Sequence, residues 1–273
     1  MANYHLEIKP ISRGKGHSVT SRVSYISGRP LHDSYKDRLY SNPRKDVVRQ
    51  IIFLPEAAPP EFQDFQHLCD EIEGAEVRKD ARTAREFIGS LPNELSPGEW
   101  IRIIRDFITR NFVDHDLCAI AAIHRGHNMD DPSRNNPHVH IIVPTRTVGP
   151  DGFSEKKDRE HDKREYILIW RKQWAEVQNR AYERNHLDIR VSHKSLEAQE
   201  RDRQPTIHLS LADWQREKRG ERTRAGDRKR EIEERNREHD RRRQAARERK
   251  PDADLSRKPQ PEHKRDLDID LSR

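Results

Sequence analysis

Hydrophobic residues recur along the first 210 positions with the two-residue period of a β-strand or the 3.6-residue period of an α-helix. Alternation and short apolar runs predict strands over residues 4–11, 47–54, 86–91, 118–124 and 138–143. Helical spacing predicts helices over residues 17–27, 59–73, 97–112 and 162–185. The polar segment 79–85 is expected to begin as a helix, and 29–44 to form a loop. This order predicts an α+β fold with a central antiparallel sheet covered by helices.

The pattern changes near residue 210. From Leu211 to Arg273 the chain has 21 Lys and Arg, 16 Asp and Glu, and almost no large apolar side chains. Such a segment buries too little apolar surface to offset the entropy of folding. We therefore predict a folded domain over 1–210, a charged helical extension over 211–250 and a disordered tail over 251–273.

Charge is concentrated at both ends of the chain. Only 32% of residues are hydrophobic and 37% are charged, and the first fifty include ten Lys and Arg against four Asp and Glu. Two basic ends favour a polyanionic partner, although mixed charges in the tail also suit a solvated helix face. There is no apolar leader, no run of membrane-spanning length and no cysteine framework, which predicts a soluble cytoplasmic protein.

Two histidines stand two residues apart in the apolar run that begins at residue 138. On a strand, His138 and His140 project from the same face, and His124 precedes them at the distance of a hairpin with a long polar tip. Three neutral imidazoles suit Zn, Mn, Fe, Ni or Cu and leave positions open for water or substrate, which indicates catalysis. The alternative is that these are surface or structural histidines. His127, in the tip, is a weaker candidate.

A reactive side chain is predicted on the first helix. At about 100° per residue, the apolar residues of this helix form one stripe and Tyr25 points well away from it. Arg13, Lys15 and Arg22 are close in sequence, and cations both bind phosphate and favour phenolate over phenol. Tyr25 is thus a candidate nucleophile, with a partly exposed amphipathic tyrosine as the alternative.

Seven short motifs in this order resemble the MobA/MobL (MobQ-type) plasmid relaxases, part of a class of nucleases with a His-hydrophobic-His metal motif. The resemblance covers about residues 1–209. The motifs are Tyr4-His5, Ile11-Ser12-Arg13-Gly14-Lys15-Gly16, Tyr25, Arg85-Glu86-Phe87 before Leu91-Pro92, Ala122-Ile123-His124, Asn136-Pro137-His138-Val139-His140, and Ser192-His193-Lys194-Ser195-Leu196-Glu197-Ala198-Gln199.

The resemblance implies strand-specific nicking and joining at a plasmid origin of transfer. Tyr25 would attack a phosphodiester, keep the 5′ phosphate and release a 3′ hydroxyl. His124, His138 and His140 match the metal ligands, with Mg or Mn as the divalent ion. Glu86 matches an acidic residue that either orients a ligand or accepts the phenolic proton.

The implied partners are single-stranded and hairpin DNA at the transfer origin, with relaxosome accessory proteins and a coupling protein. Arg13, Lys15, Arg22 and Arg82 are the candidate phosphate contacts. Two alternatives stay open: a rolling-circle replication initiator, and a DNA-binding accessory protein without catalysis. The position of the tyrosine ahead of the histidine motif favours the relaxase over the initiator.

Overall fold

The computed structural model describes residues 4–126, 135–199, 204–207 and 209–248. The chain divides into two compact units, Met1–His193 and Lys194–Arg273, so the division falls ahead of the boundary predicted at residue 210. The candidate site lies entirely in the first unit.

The first unit is built on a five-stranded antiparallel sheet. Its strands are β1 (Leu6–Ser12), β4 (Val47–Phe53), β5 (Arg82–Ser90), β6 (Ala119–His124) and β7 (His138–Pro144). Their spatial order is β1-β5-β7-β6-β4, so β7 lies at the centre. The expected α+β class and the antiparallel pairing of the two histidine-bearing strands are confirmed. The other strands of the described residues form two hairpins, β2 (Leu31–Asp33) with β3 (Arg38–Tyr40) and β8 (Arg146–Gly149) with β9 (Gly152–Lys157).

Helices cover both faces of the sheet. The first pair, α1 (Val19–Ser27) and α2 (Phe65–Gly74), packs on one face through a cluster that includes Val23, Ile26 and Leu68. The second pair, α3 (Pro97–Asn111) and α4 (Arg164–Arg184), packs on the other face. Because side chains alternate along a strand, each strand of the sheet contributes to both layers. The histidines project into the α1 and α2 layer.

The ends of α1 are fixed by local chemistry. The Ser18 hydroxyl accepts a hydrogen bond from the Ser21 amide at 3.1 Å, and the Ser21 hydroxyl completes a capping box with the Ser18 amide. Gly28 ends the helix at φ +74°, a conformation that glycine adopts without a steric penalty. This termination turns the chain towards β2.

The helical expectation for residues 79–85 is wrong, because β5 begins at Arg82 and runs for nine residues. Long-range partners hold two of its charged side chains in the sheet. Arg85 donates to the Asp162 carboxylate at 2.5 Å, and Glu86 accepts from His140. The predicted loop over 29–44 also contains the short β2–β3 hairpin, and sequence analysis assigned nothing to the β8–β9 hairpin.

The second unit contains two helices in the segment predicted as a charged helical extension, α5 (Leu211–Lys218) and α6 (Arg224–Glu248). Glu217 joins them, since it accepts from Arg230 at 2.6 Å and from the Thr223 amide at 2.6 Å. The tail predicted to be disordered over 251–273, and His127 in the predicted hairpin tip, lie outside the described residues. Among the helices that are described, none combines the length and the apolar character needed to cross a membrane.

Candidate active site

Three histidines meet on the face of the sheet beneath α1. His124 on β6 lies directly opposite His138 on β7, and His140 follows two residues later on the same face. One ring nitrogen from each histidine lies within 4.8 Å of the other two. Sheet pairing therefore produces the convergence that the spacing predicts.

Each imidazole is held by a hydrogen bond to an oxygen that can only accept. His124 Nε2 lies 2.6 Å from the Ile26 carbonyl, His138 Nδ1 lies 2.8 Å from the Asn136 carbonyl, and His140 Nδ1 lies 2.8 Å from Glu86 Oε1. These nitrogens must carry protons, so in the neutral rings the lone pairs belong to His124 Nδ1, His138 Nε2 and His140 Nε2. In metal-binding histidines, a hydrogen bond from the ring nitrogen that does not bind the metal fixes the orientation of the ring.

The donor set fits a divalent metal ion. His124 is fully buried and its Nδ1 has no hydrogen-bond partner among the described residues, an arrangement that costs about 1–3 kcal/mol when nothing compensates it. Burial lowers the pKa of His124 to about 4 and lowers that of His138 as well. Both rings are therefore neutral at pH 7, the form that coordinates metal.

Glu86 connects His140 to α1. The side chain is buried, and its Oε1 accepts from His140 and from Arg22 Nη2. Burial raises the pKa of Glu86, but the two hydrogen bonds and the charge of Arg22 outweigh burial and hold the pKa below its usual range. Glu86 is consequently an ionised carboxylate whose observed bonds orient His140.

Tyr25 lies on the open side of the same helix. Its side chain is 44% exposed, as expected for a residue outside the apolar stripe of α1. Two guanidinium groups contact its ring, with Arg22 Cζ 4.9 Å and Arg44 Cζ 5.0 Å from the ring centroid. The carbonyl of the next residue, Ile26, accepts a hydrogen bond from His124. The helix that carries Tyr25 is therefore bonded directly to the histidine cluster.

Sequence analysis missed two residues that belong to this site. Arg44 donates from Nε and Nη2 to the Asp46 carboxylate, both at 2.9 Å, and Asp46 Oδ2 lies 3.9 Å from His124 Nδ1. The Arg44 hydrogen bond is the main reason that the pKa of Asp46 is lowered. Both residues lie in a polar segment before β4 that has no periodic pattern, so the sequence contained no signal for them.

Arg13 was expected to contact phosphate, and the structure corrects this. The residue is 6% exposed, and its guanidinium donates to Glu73 Oε2 at 2.7 Å and to the backbone carbonyls of Glu73 and Glu76. The other carboxylate oxygen of Glu73 accepts from the Val19 amide at 2.7 Å. The buried pair therefore fastens the start of α1 to α2 and leaves no accessible charge at Arg13.

Replacing Glu73 with alanine should destabilise the first unit by about 3–5 kcal/mol, because Arg13 would remain as a buried charge without a counterion. Urea unfolding followed by circular dichroism measures this loss. Glu71→Ala, on the exposed face of the same helix, is the matched control and should change stability by less than about 0.5 kcal/mol. Equal stabilities of the two variants would contradict the structural role of this pair.

The other predicted phosphate contacts keep part of their surface accessible. Arg22 pairs with Glu86, and Arg82 pairs with Asp162. Lys15 is exposed and, with Arg82, borders a cavity of about 450 Å³. Its other charged lining residues are three basic ones, Arg78, Lys157 and Arg159, and two acidic ones, Glu76 and Asp80. Arg82 lies four residues from Glu86 along β5, or about 13 Å at the rise of a strand. This cavity is thus separate from the histidine cluster.

The sequence profile of the MobA/MobL family matches residues 17–219 of this chain, a range that includes Tyr25, Glu86 and the three histidines. The chain belongs to the MobA/MobL family. This membership confirms the resemblance carried by the sequence motifs.

Individual relatives agree with the family assignment. A probable mobilization protein MobA of Bifidobacterium longum is 29% identical over 255 residues, covering 78% of this chain and 44% of that protein. A conjugal transfer protein TraA of Agrobacterium fabrum is 28% identical over 242 residues, covering 77% of this chain and 21% of that protein. The chain thus spans less than half the length of either relative.

A solved structure described under the words "Molecular Basis of Vancomycin Resistance Transfer in Staphylococcus aureus" has a similar fold. It superposes with a TM-score of 0.64 at 28% identity and covers 71% of this chain and all of that one.

Proposed function

We propose that this chain is a DNA relaxase that nicks and rejoins one strand at a plasmid transfer origin, with Tyr25 as the nucleophile. The observation that carries the proposal is the placement of Tyr25 on the helix whose Ile26 carbonyl orients His124, one of three converging imidazoles. A phenol on a helix that is bonded directly to a three-histidine site suits covalent phosphoryl transfer. The mobilization and conjugal-transfer relatives support a role in plasmid transfer.

His124, His138 and His140 would hold a divalent ion, with Mg or Mn as the proposed identities. When bound, such an ion polarises a non-bridging phosphate oxygen and stabilises the charge of the transition state. The protein supplies the arrangement around it. Glu86 orients His140, and this favours an orienting role for Glu86 over proton acceptance from Tyr25.

In the proposed reaction the Tyr25 oxygen bonds to phosphorus as the bond from phosphorus to the 3′ oxygen breaks. The phosphodiester energy is conserved in the phosphotyrosine, so a 3′ hydroxyl can reverse the step and rejoin the strand. Lys15, Arg22 and Arg82 are the proposed phosphate contacts, and the basic cavity beside Lys15 and Arg82 supports this for the DNA backbone.

The proposal is tested with single-stranded oligonucleotides tiled across both strands of the DNA flanking the coding sequence. Each is incubated with the protein and Mn²⁺ or Mg²⁺, and a denaturant-resistant adduct is sought by gel electrophoresis. An adduct at one position on one strand is expected. Salt-sensitive binding without any adduct would favour the non-catalytic DNA-binding alternative.

Changing Glu86 to glutamine should weaken Mn²⁺ binding by about 10- to 100-fold, since His140 would lose the carboxylate that fixes its orientation. Calorimetric titration of the protein with Mn²⁺ measures this. Glu155→Gln removes an exposed carboxylate from β9 and should leave the affinity unchanged. Wild-type affinity in Glu86→Gln would show that the carboxylate charge beside His140 is not needed for the metal site.

A further inference from the structure

The Arg44 guanidinium contacts the ring of Tyr25 and is fixed there by hydrogen bonds to Asp46. We propose that Arg44 positions the Tyr25 ring for attack and stabilises negative charge on the attacking oxygen, while Asp46 fixes the orientation of Arg44. This inference rests on the proposed relaxase function. It assigns a role to a residue that the sequence motifs do not include.

The Tyr25 ring lies within reach of two guanidinium groups at nearly equal distances, 4.9 Å for Arg22 and 5.0 Å for Arg44. The two arginines come from different parts of the chain, one from α1 and the other from the segment before β4. Each is ion-paired to a carboxylate that also approaches a histidine of the cluster. Arg22 pairs with Glu86, which also bonds to His140. Arg44 pairs with Asp46, which also approaches His124.

Several contacts fix Arg44 relative to both Tyr25 and His124. Two hydrogen bonds at 2.9 Å align its guanidinium with Asp46, and the Asp46 carbonyl accepts from the Arg125 amide at 2.9 Å, immediately after His124. A Cβ atom at Gly28 would lie 3.1 Å from the Arg44 amide nitrogen, so α1 ends closely against this segment. The position of Arg44 is thus set by the end of α1 and by β6 together.

Arg44 can stabilise the attacking oxygen but cannot take its proton. A guanidinium remains protonated at any physiological pH and offers five N–H donors. The phenolic proton therefore leaves to water, the Tyr25 oxygen bonds to phosphorus, and the released 3′ oxygen takes a proton from water. A fixed cation aimed at developing charge is worth most at the moment of reaction, because it needs no reorganisation.

The test compares single-turnover rates of adduct formation, with the flanking oligonucleotide that the wild-type protein cleaves and with Mn²⁺. Arg44→Ala should react about 10²- to 10³-fold more slowly, the usual cost of removing one donor from a site of developing charge. DNA affinity, measured by fluorescence anisotropy, should stay within about threefold, since one phosphate contact at most is lost. Arg49→Ala, on the exposed side of β4, is the matched control and should react at the wild-type rate.

Added guanidinium ion separates a direct role from a structural one. At concentrations far below those that unfold proteins, it should partly restore the rate of Arg44→Ala and leave Arg49→Ala unchanged. Arg44→Lys, which keeps the charge without the paired bonds to Asp46, should react at an intermediate rate.

Three outcomes would overturn the assignment of Arg44: a wild-type rate in Arg44→Ala, a loss that neither guanidinium nor lysine restores, or an equal loss in Arg49→Ala. Each leaves the relaxase function standing, because the wild-type protein still forms the adduct. Absence of an adduct in the wild-type protein would instead contradict the proposed function itself. The two failures are therefore distinguished in one assay.

Discussion

Replacing Tyr25 with phenylalanine is expected to abolish the covalent protein–DNA adduct, lowering its rate of formation by at least about 10⁴-fold. Phenylalanine keeps the ring that contacts Arg22 and Arg44 and removes only the oxygen that would bond to phosphorus. DNA binding should persist, because it depends on cations that the substitution leaves in place. The measurement is the denaturant-resistant adduct on a gel, with anisotropy to follow DNA binding.

Tyr35 provides the matched control for this substitution. It is 46% exposed, against 44% for Tyr25, and its ring also contacts an arginine, Arg13. Tyr35→Phe should form the adduct at the wild-type rate. If Tyr25→Phe still forms it, another side chain must be the nucleophile and the proposed role of Tyr25 is wrong.

Replacing His138 with alanine is expected to weaken Mn²⁺ binding by more than about 100-fold, since removing a ligand should cost at least as much as removing the group that orients one. Metal-dependent cleavage should be lost with it, and phosphate-driven DNA binding should largely remain. Chelation of the metal from the wild-type protein should give the same result. Calorimetry with Mn²⁺ and the adduct assay measure the two effects separately.

The control for the metal site is His115→Ala, which removes an exposed imidazole outside the cluster. It should bind Mn²⁺ as the wild-type protein does. The opposite result, in which His138→Ala keeps the affinity and the cleavage rate, would mean that the three imidazoles do not form the working metal site. His124→Ala is a poorer test, because His124 is fully buried and its loss would also disturb packing.

Local patterns were enough to find the side chains with distinctive chemistry. The two-residue spacing of His138 and His140 places both on one face of any strand, and helical periodicity alone moves Tyr25 off the apolar stripe. The same reasoning failed for residues 79–85, where polarity suggested a helix. The segment lies in a strand where Asp162 and His140, remote in sequence, pair with Arg85 and Glu86.

The sequence alone does not identify the ion-pair partners of charged side chains. Arg13 stands in a basic turn and was expected to bind phosphate, yet Glu73, sixty residues away, buries and neutralises it. Arg44 and Asp46 lie in an irregular segment without any pattern, and only the approach of that segment to α1 brings Arg44 to Tyr25. Which cations remain accessible is decided by such long-range pairs.

The sequence by itself determined the strands and helices with strong periodicity, the three histidines, and Tyr25 as the reactive candidate, because each depends on spacing along one element. Tertiary structure alone decided which ring nitrogens are free to converge, that Glu86 bonds to His140, and that Arg13 is structural while Arg44 contacts Tyr25. The physical reason is that periodicity is a local property of the backbone. Hydrogen bonding and charge neutralisation join residues that only the folded chain brings together.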